Sequence, residues 1–257
     1  MRTGTPIATV WQSNCMGRTQ SVLVAIPALN EQRTVADVVR RVREVQPNAR
    51  VIVVDDGSRD RTADVSRAAG AEVLCLPFNV GVGGAVRTAF LYAVNHDIDV
   101  VVSIDADGQH DPSDIPALLA ALGPASVVVG SRFIGNGTYM VRGPRAWAMR
   151  LLAQVLSRLS RTSLTDTTSG FRAADRAAIE LFAEHYPAEY LGDTVESLVI
   201  AIRSGLIVTE VPVSMQQRRA GAPSQTPWRA SLYLGRAILA LLVSLTRRRD
   251  SRPRDMT

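Results

Sequence analysis

Lysine is absent from this chain of 257 residues, and all 29 basic residues are arginine. The bias is one of base composition and by itself carries no mechanism. Cysteine is nearly absent too: Cys15 lies in a polar lead and Cys75 in the apolar run EVLCLPF, where a thiol reads as buried. Neither has the spacing of a metal ligand or a redox pair, which fits a reducing cytoplasm. Aromatic residues make up only 5% of the chain, and no helix-turn-helix, finger or aromatic-basic pattern accompanies the arginines. That argues against nucleic acid as a partner. Residues 1–20 lack the apolar core of a signal peptide and read as a flexible extension, in which Met16 offers a second start.

What remains is an ordinary folded composition, 46% hydrophobic and 21% charged, with enough chain for one large domain over residues 21–227. The runs SVLVAIP (21–27), RVIVVDD (50–56), AEVLCLP (71–77), DVVVSID (99–105) and ASVVVGS (125–131) read as strands. Between them TVADVVRRVREV (34–45), RTADVSRAAG (61–70), GGAVRTAFLYAVNH (83–96) and a segment starting near Pro112 read as helices. Such alternation predicts an α/β fold with a mostly parallel sheet covered on both faces. Ligands in such sheets sit beyond the carboxyl ends of the strands. Three of those ends carry polar clusters: PALNE (27–31), VDDGSRD (54–60) and DADGQ (105–109).

The first strand-to-helix turn, PALNEQRT, contains no glycine. A dinucleotide fold needs glycines there so that backbone can approach pyrophosphate, which argues against NAD binding. Gly81, Gly83 and Gly84 follow the third strand instead and read as a tight turn with close helix packing. The stretch IDADGQHDPSD (104–114) admits three readings. One is a solvated turn, since Asp and Gly are turn residues. A calcium loop is the second, but Gly108 and His110 fall at the wrong places and no Glu closes the frame. The third is a divalent metal held at a strand end beside a phosphorylated ligand. Asp111 and Asp114 read as caps of the helix near Pro112, and His110 as lying behind the ligands or in solvent.

In this order the pieces PALNE, VDDGSRDRT, NVGVGGAVRTAF, DADGQHDP, GSR and DTTSGFRA resemble the family 2 glycosyltransferases of GT-A fold, over roughly residues 21–220. The likeness is to the branch of dolichyl-phosphate mannose synthases and polyprenyl-phosphate sugar transferases. It implies a Rossmann-like GT-A sheet and transfer of a sugar, with inversion, from a UDP- or GDP-sugar to a polyprenyl or dolichyl phosphate. It assigns the nucleotide to Pro27, Leu29, Glu31, Asp55, Asp56 and Ala106, where carboxylates would accept from ribose hydroxyls and base N–H groups. It assigns Mg²⁺ or Mn²⁺ to Asp105, Asp107 and Gln109, hard oxygen ligands of the kind these ions take. Arg132, at a strand end, is the implied grip on the acceptor phosphate through its bidentate fork. Arg145, Arg150 and Arg172 are further candidates, with a purely structural Arg172 as the alternative. Arg218 matches a loop that would close over the donor, although Pro223 is extra and Gln225 replaces the usual basic residue.

A phosphate acceptor is already anionic and needs positioning more than a base. An enzyme extending a saccharide needs a carboxylate to take a hydroxyl proton, and Asp193 or Glu196 in YLGDTVESL keeps that alternative open. A non-catalytic nucleotide-sugar-binding protein is the third reading. From Arg218 onward there are nine arginines and two aspartates. Residues 228–257 read as an amphipathic helix followed by a basic tail. On a helical wheel Arg229, Arg236 and Arg247 align opposite Leu234, Ile238, Leu241, Leu242 and Leu245. The apolar run there falls well short of the roughly 20 residues that span a bilayer. Peripheral attachment at the cytoplasmic membrane face, or docking to a membrane-spanning subunit, is expected.

Overall fold

The computed structural model describes residues 20–134, 144–187 and 193–216; the side chains of 144–148 are not among those described. The extension over 1–20 therefore falls almost wholly outside the described residues, as do Arg218, the helix expected from 228 and the basic tail. Seven strands form one sheet: β1 (Val22–Ala28), β2 (Arg50–Asp55), β3 (Glu72–Cys75), β4 (Val100–Ser103), β5 (Val127–Ser131), β6 (Arg172–Ala174) and β7 (Val208–Pro212). Their order is β3-β2-β1-β4-β6-β5-β7. All pairings are parallel except those of β6, which runs antiparallel between β4 and β5. The chain starts in the middle of the sheet and winds outward both ways. The switch point lies where β1 meets β4, and a crevice is expected there.

The helices are α1 (Val35–Val45), α2 (Thr62–Ala68), α3 (Val82–Asn95), α4 (Ile115–Ala121), α5 (Pro144–Ser160), α6 (Arg176–His185) and α7 (Asp193–Arg203), with a 3-10 turn at Pro112–Asp114. Alternation along β1 sends Leu23 and Ala25 to one core and Val24, Ile26 and Ala28 to the other, as a period of two requires. Val35, Val38, Val39 and Val42 give α1 one buried stripe, worth roughly 1.5–3 kcal/mol per side chain. On the opposite face, Phe90 of α3 packs at 5.1 Å from Phe182 and 5.5 Å from Tyr186.

Cys75 departs from expectation. It is exposed, because β3 is an edge strand and Cys75 ends it, with Arg67 Nη2 donating to its sulfur at 3.1 Å. The fourth strand also ends earlier than its apolar run suggests. Ile104 N still bonds Ala25 O at 3.0 Å, after which Asp105 leaves the ladder.

Candidate active site

The two loops after β1 and β2 are laced together by side chains. Asn30 N donates to Ser58 Oγ at 2.8 Å, and Arg59 N returns a bond to Asn30 Oδ1 at 2.9 Å. Glu31 N donates to Thr62 Oγ1 at 2.8 Å, and Gln32 N to Asp60 Oδ2 at 3.2 Å. Glu31 Oε2 accepts from Thr34 Oγ1 at 2.9 Å, and Asp55 Oδ1 from Ser58 N at 3.0 Å. Asp56 serves a third loop. Its two oxygens accept from Val80 N at 2.7 Å and Gly81 N at 2.9 Å. Gly57, at φ +74°, allows that approach, since a Cβ there would stand 2.9 Å from the Phe78 carbonyl carbon. Burial pushes the Asp56 pKa up in spite of the two amides.

Next along the edge comes the loop after β4. Asp107 Oδ1 accepts from Gln109 N at 3.0 Å, closing the turn. Gln109 O accepts from Gln216 N at 2.8 Å, and His110 bridges to Met215. Asp111 caps the 3-10 turn through Ser113 N at 3.0 Å, and also receives Arg41 Nη2 at 2.7 Å and Gln216 Nε2 at 2.8 Å. Burial acts against ionisation of Asp111, but the bonds from Ser113 and Gln216 and the charge of Arg41 hold its pKa below the usual range. Asp114 does not cap; its Oδ2 takes Ser214 N at 2.7 Å. The segment after β7 thus clasps the carboxylate-bearing loop. His110 is buried rather than solvated. Its ring lies 5.1 Å from Phe171, and its Nε2 is 3.6 Å from Asp105 Oδ2. Burial, partly opposed by Asp105, pushes its pKa down and favours the neutral ring.

Arg132 follows β5 on the same edge, and its fork is closed on Asp166. Nε donates to Oδ2 at 2.6 Å, Nη2 to Oδ1 at 2.8 Å, and Nη2 also to Thr168 Oγ1 at 2.8 Å. Asp166 is fully buried. Burial works against its charge, but Arg132 holds its pKa below the ordinary carboxylate value. Glu210 of β7 supports this pair by accepting from Asp166 N at 2.7 Å and Thr165 N at 2.8 Å.

Between the sheet and α3, α6 and α7 lies a cavity of about 180 Å³ that Asp105 helps to line. Val86, Phe90 and Phe182 make its apolar part, and Asp105, Arg172 and Asp193 its polar part. Gly170 borders it too: a Cβ there would stand 3.0 Å from Asp105 Oδ1, so only glycine leaves the carboxylate its place. Asp193 is 5% exposed. Burial, only partly offset by Arg172, raises its pKa to about 6. Tyr186 is likewise pushed up by burial.

Among the described residues no cluster of three or more His, Cys, Asp or Glu is set to enclose an ion. Mg²⁺ and Mn²⁺ do not require one, because they retain waters and bridge substrate phosphates. Two carboxylates and an amide from one loop, with the Asp105 side chain 40% exposed and lining the cavity, fit such an ion.

The family description "Glycosyl transferase family 2" matches residues 23–182. The chain belongs to glycosyl transferase family 2. It is 33% identical over 210 residues to the undecaprenyl-phosphate mannosyltransferase of Micrococcus luteus, covering 78% of this chain and 85% of that one. It is 32% identical over 219 residues to the polyprenol monophosphomannose synthase of Mycolicibacterium smegmatis, covering 79% and 80% respectively. Its fold is similar to that of glucosyl-3-phosphoglycerate synthase from Mycobacterium tuberculosis, solved with Mn²⁺, UDP and phosphoglyceric acid. The TM-score is 0.68 at 22% identity, over 97% of this chain and 86% of that one. The GT-A fold expected of a family 2 enzyme is the one found.

In this family 2 domain one sheet edge carries Pro27, Leu29, Glu31, Asp55, Asp105, Ala106, Asp107, Gln109 and Arg132. Three residues expected to touch ligand are engaged by the protein itself, Arg132 through the bonds to Asp166 and Thr168 given above. Asp56 spends both oxygens on loop amides. Arg172 is 8% exposed, and donates through Nε to Ser169 O at 2.8 Å, through Nη1 to Ser197 Oγ at 2.9 Å and through Nη2 to Thr167 O at 3.1 Å. Arg172 also lines the cavity. Arg150 is exposed on α5; Arg145 begins the same helix, its side chain outside the described set. Sequence reasoning missed Asp166, although it opens the motif DTTSGFRA, and gave no hint of Glu210 or Gln216.

Proposed function

We propose that this chain transfers a hexosyl group, with inversion, from a UDP- or GDP-sugar to a polyprenyl or dolichyl phosphate. The observation that carries the acceptor is the 33% identity to an undecaprenyl-phosphate mannosyltransferase over most of both chains. The site chemistry agrees. Asp105, Asp107 and Gln109 would hold Mg²⁺ or Mn²⁺, which when bound offsets the charge on a departing nucleoside diphosphate. Glu31, Asp55 and the loop bearing Pro27 and Leu29 would receive the nucleoside, with the Ala106 backbone beside it. Arg132, stiffened by Asp166, would orient the acceptor phosphate. A phosphate oxygen forms the new bond to the anomeric carbon as the bond to the diphosphate oxygen breaks, and the leaving diphosphate takes the electron pair. No side chain has to accept a proton.

Saccharide extension is the second reading, and the buried Asp193 beside Asp105 in the cavity is what favours it, since a carboxylate with a pKa near 6 can serve as a base. The deciding experiment offers UDP- and GDP-hexoses with Mn²⁺ to polyprenyl phosphate and, separately, to oligosaccharides. Sugar appearing in the organic phase supports the proposal. Transfer only to oligosaccharide supports the alternative, and binding without turnover makes the chain a nucleotide-sugar-binding protein. Among the described residues no helix is long and apolar enough to cross a membrane. We place the enzyme at the cytoplasmic membrane face, held by residues 228–257 to anionic lipid or to a membrane-spanning subunit. Flotation with anionic liposomes should then be lost when the chain ends at Pro227.

A further inference from the structure

We propose that His110 is a positioning residue for Asp105, donating from Nε2 so that the carboxylate is held in one orientation for the metal. The inference rests on the metal reading above. His110 is 3% exposed, and its Nδ1 is a buried nitrogen without a hydrogen-bond partner. Buried polar side-chain atoms are partnered in the large majority of cases, so an unpartnered one calls for an explanation. The explanation lies across the ring, where Nε2 faces Asp105 Oδ2 at 3.6 Å.

A neutral imidazole has one donor and one acceptor nitrogen, and the hydrogen bond it makes decides which is which. With the proton on Nδ1, a donor would be buried unpaired and the Nε2 lone pair would face a carboxylate. With the proton on Nε2, the donor meets the carboxylate and only an acceptor stays unpaired, the less costly arrangement. At 3.6 Å the contact lies beyond a hydrogen bond; hydrogen bonds in unliganded sites are often long and tighten when ligand binds.

The ring itself cannot wander. Phe171 lies 5.1 Å away, the backbone is bridged to Met215, and the neighbouring Gln109 O is tied to Gln216 N at 2.8 Å. The Asp105 carboxylate lies over Gly170, in room that only the missing Cβ provides: a Cβ there would stand 3.0 Å from Oδ1 and 3.3 Å from Oδ2. Groups that orient metal-binding side chains in this way typically change metal affinity about 10–100-fold when lost.

The test is Mn²⁺ binding in the presence of UDP or GDP, read from the spin-resonance signal of free Mn²⁺, without turnover. His110→Phe keeps bulk but removes the donor, and its Mn²⁺ affinity should fall at least about 10-fold. His110→Gln, whose amide can donate to Asp105, should recover most of the loss. Equal affinity in wild type and His110→Phe, or equal losses in both variants, overturns the proposal. Failure of the wild type to bind Mn²⁺ at all instead removes the metal reading beneath it. A second measurement needs no variant. The chain has three histidines, and His96 Nδ1 lies 2.8 Å from Tyr92 O, which fixes the opposite tautomer as an internal reference. Long-range ¹H–¹⁵N spectra should show His110 protonated on Nε2, with a shift on adding Mg²⁺; an Nδ1-protonated ring sinks the idea.

Discussion

Arg132 and Asp166 meet fork to fork, with two parallel bonds of 2.6 and 2.8 Å at the end of β5. Only an arginine makes that geometry, because the lysine ammonium is a point donor. Arg132→Lys should therefore lower the rate with polyprenyl phosphate by more than about 10-fold, through kcat or acceptor KM. It should also destabilise the protein by on the order of 1–3 kcal/mol, as the fully buried Asp166 loses part of its pairing. Steady-state kinetics with donor and acceptor varied separately provide the check. Weakened nucleotide binding with normal acceptor kinetics would put Arg132 on the donor side.

Asp107→Asn separates metal binding from folding. The Asn side-chain oxygen can still accept from Gln109 N, the bond that Asp107 Oδ1 makes at 3.0 Å, so the turn survives while the charge is lost. Transfer is expected to disappear with the thermal midpoint within about 2 °C of wild type. Wild-type activity that persists in EDTA, or in this variant, contradicts the metal assignment.

Gly170→Ala tests the crowding around Asp105. The added methyl would lie 3.0 Å from Oδ1, so the carboxylate must give way. We expect a loss of Mn²⁺ affinity of about 10-fold, in line with other changes that misorient a ligand. Calorimetric titration measures it; unchanged affinity would show that the carboxylate relocates freely.

Asp193 makes stability depend on pH. Its pKa rises from 3.8 to about 6 on folding, mainly through burial. Between those values the native state holds a proton that the unfolded state lacks. The contribution is complete below about pH 4 and disappears as pH climbs through 6. At pH 7.5 the buried carboxylate is charged, and Asp193→Asn should raise stability by on the order of 2–3 kcal/mol, a gain of several degrees in midpoint. At pH 4 the gain should vanish. Melting curves at the two pH values decide, and an equal gain at both would refute the assignment.

Much of the fold could be read because its strands are strongly patterned. Val51, Ile52, Val53 and Val54 are all buried, the continuous apolar run expected of a parallel strand covered on both faces. The three polar clusters were legible because parallel strands deliver their carboxyl ends to one edge. β6 was not, since three residues, Arg172–Ala174, give periodicity nothing to act on. Cys75 misled because an apolar run does not reveal that its strand lies at an edge. Asp56 and Arg172 show another limit: residue type indicates what a side chain can bind, not which partners the protein itself already gives it. Gln216 could not be found locally, as it reaches Asp111 across 105 positions of sequence.

That long reach sets an order of assembly. The loops after β1 and β2 and the strands β1 to β4 all lie within the first half of the chain, and the two loops bond to each other there. The loop carrying Asp105 and Asp107 is different, for its brace is Ser214, Met215 and Gln216. A nascent chain halted before β7 would own Asp105, Asp107 and Asp111 while lacking the splint that shapes their loop. Competence for chemistry thus arrives with the closing stretch of the domain, after the sheet that houses it.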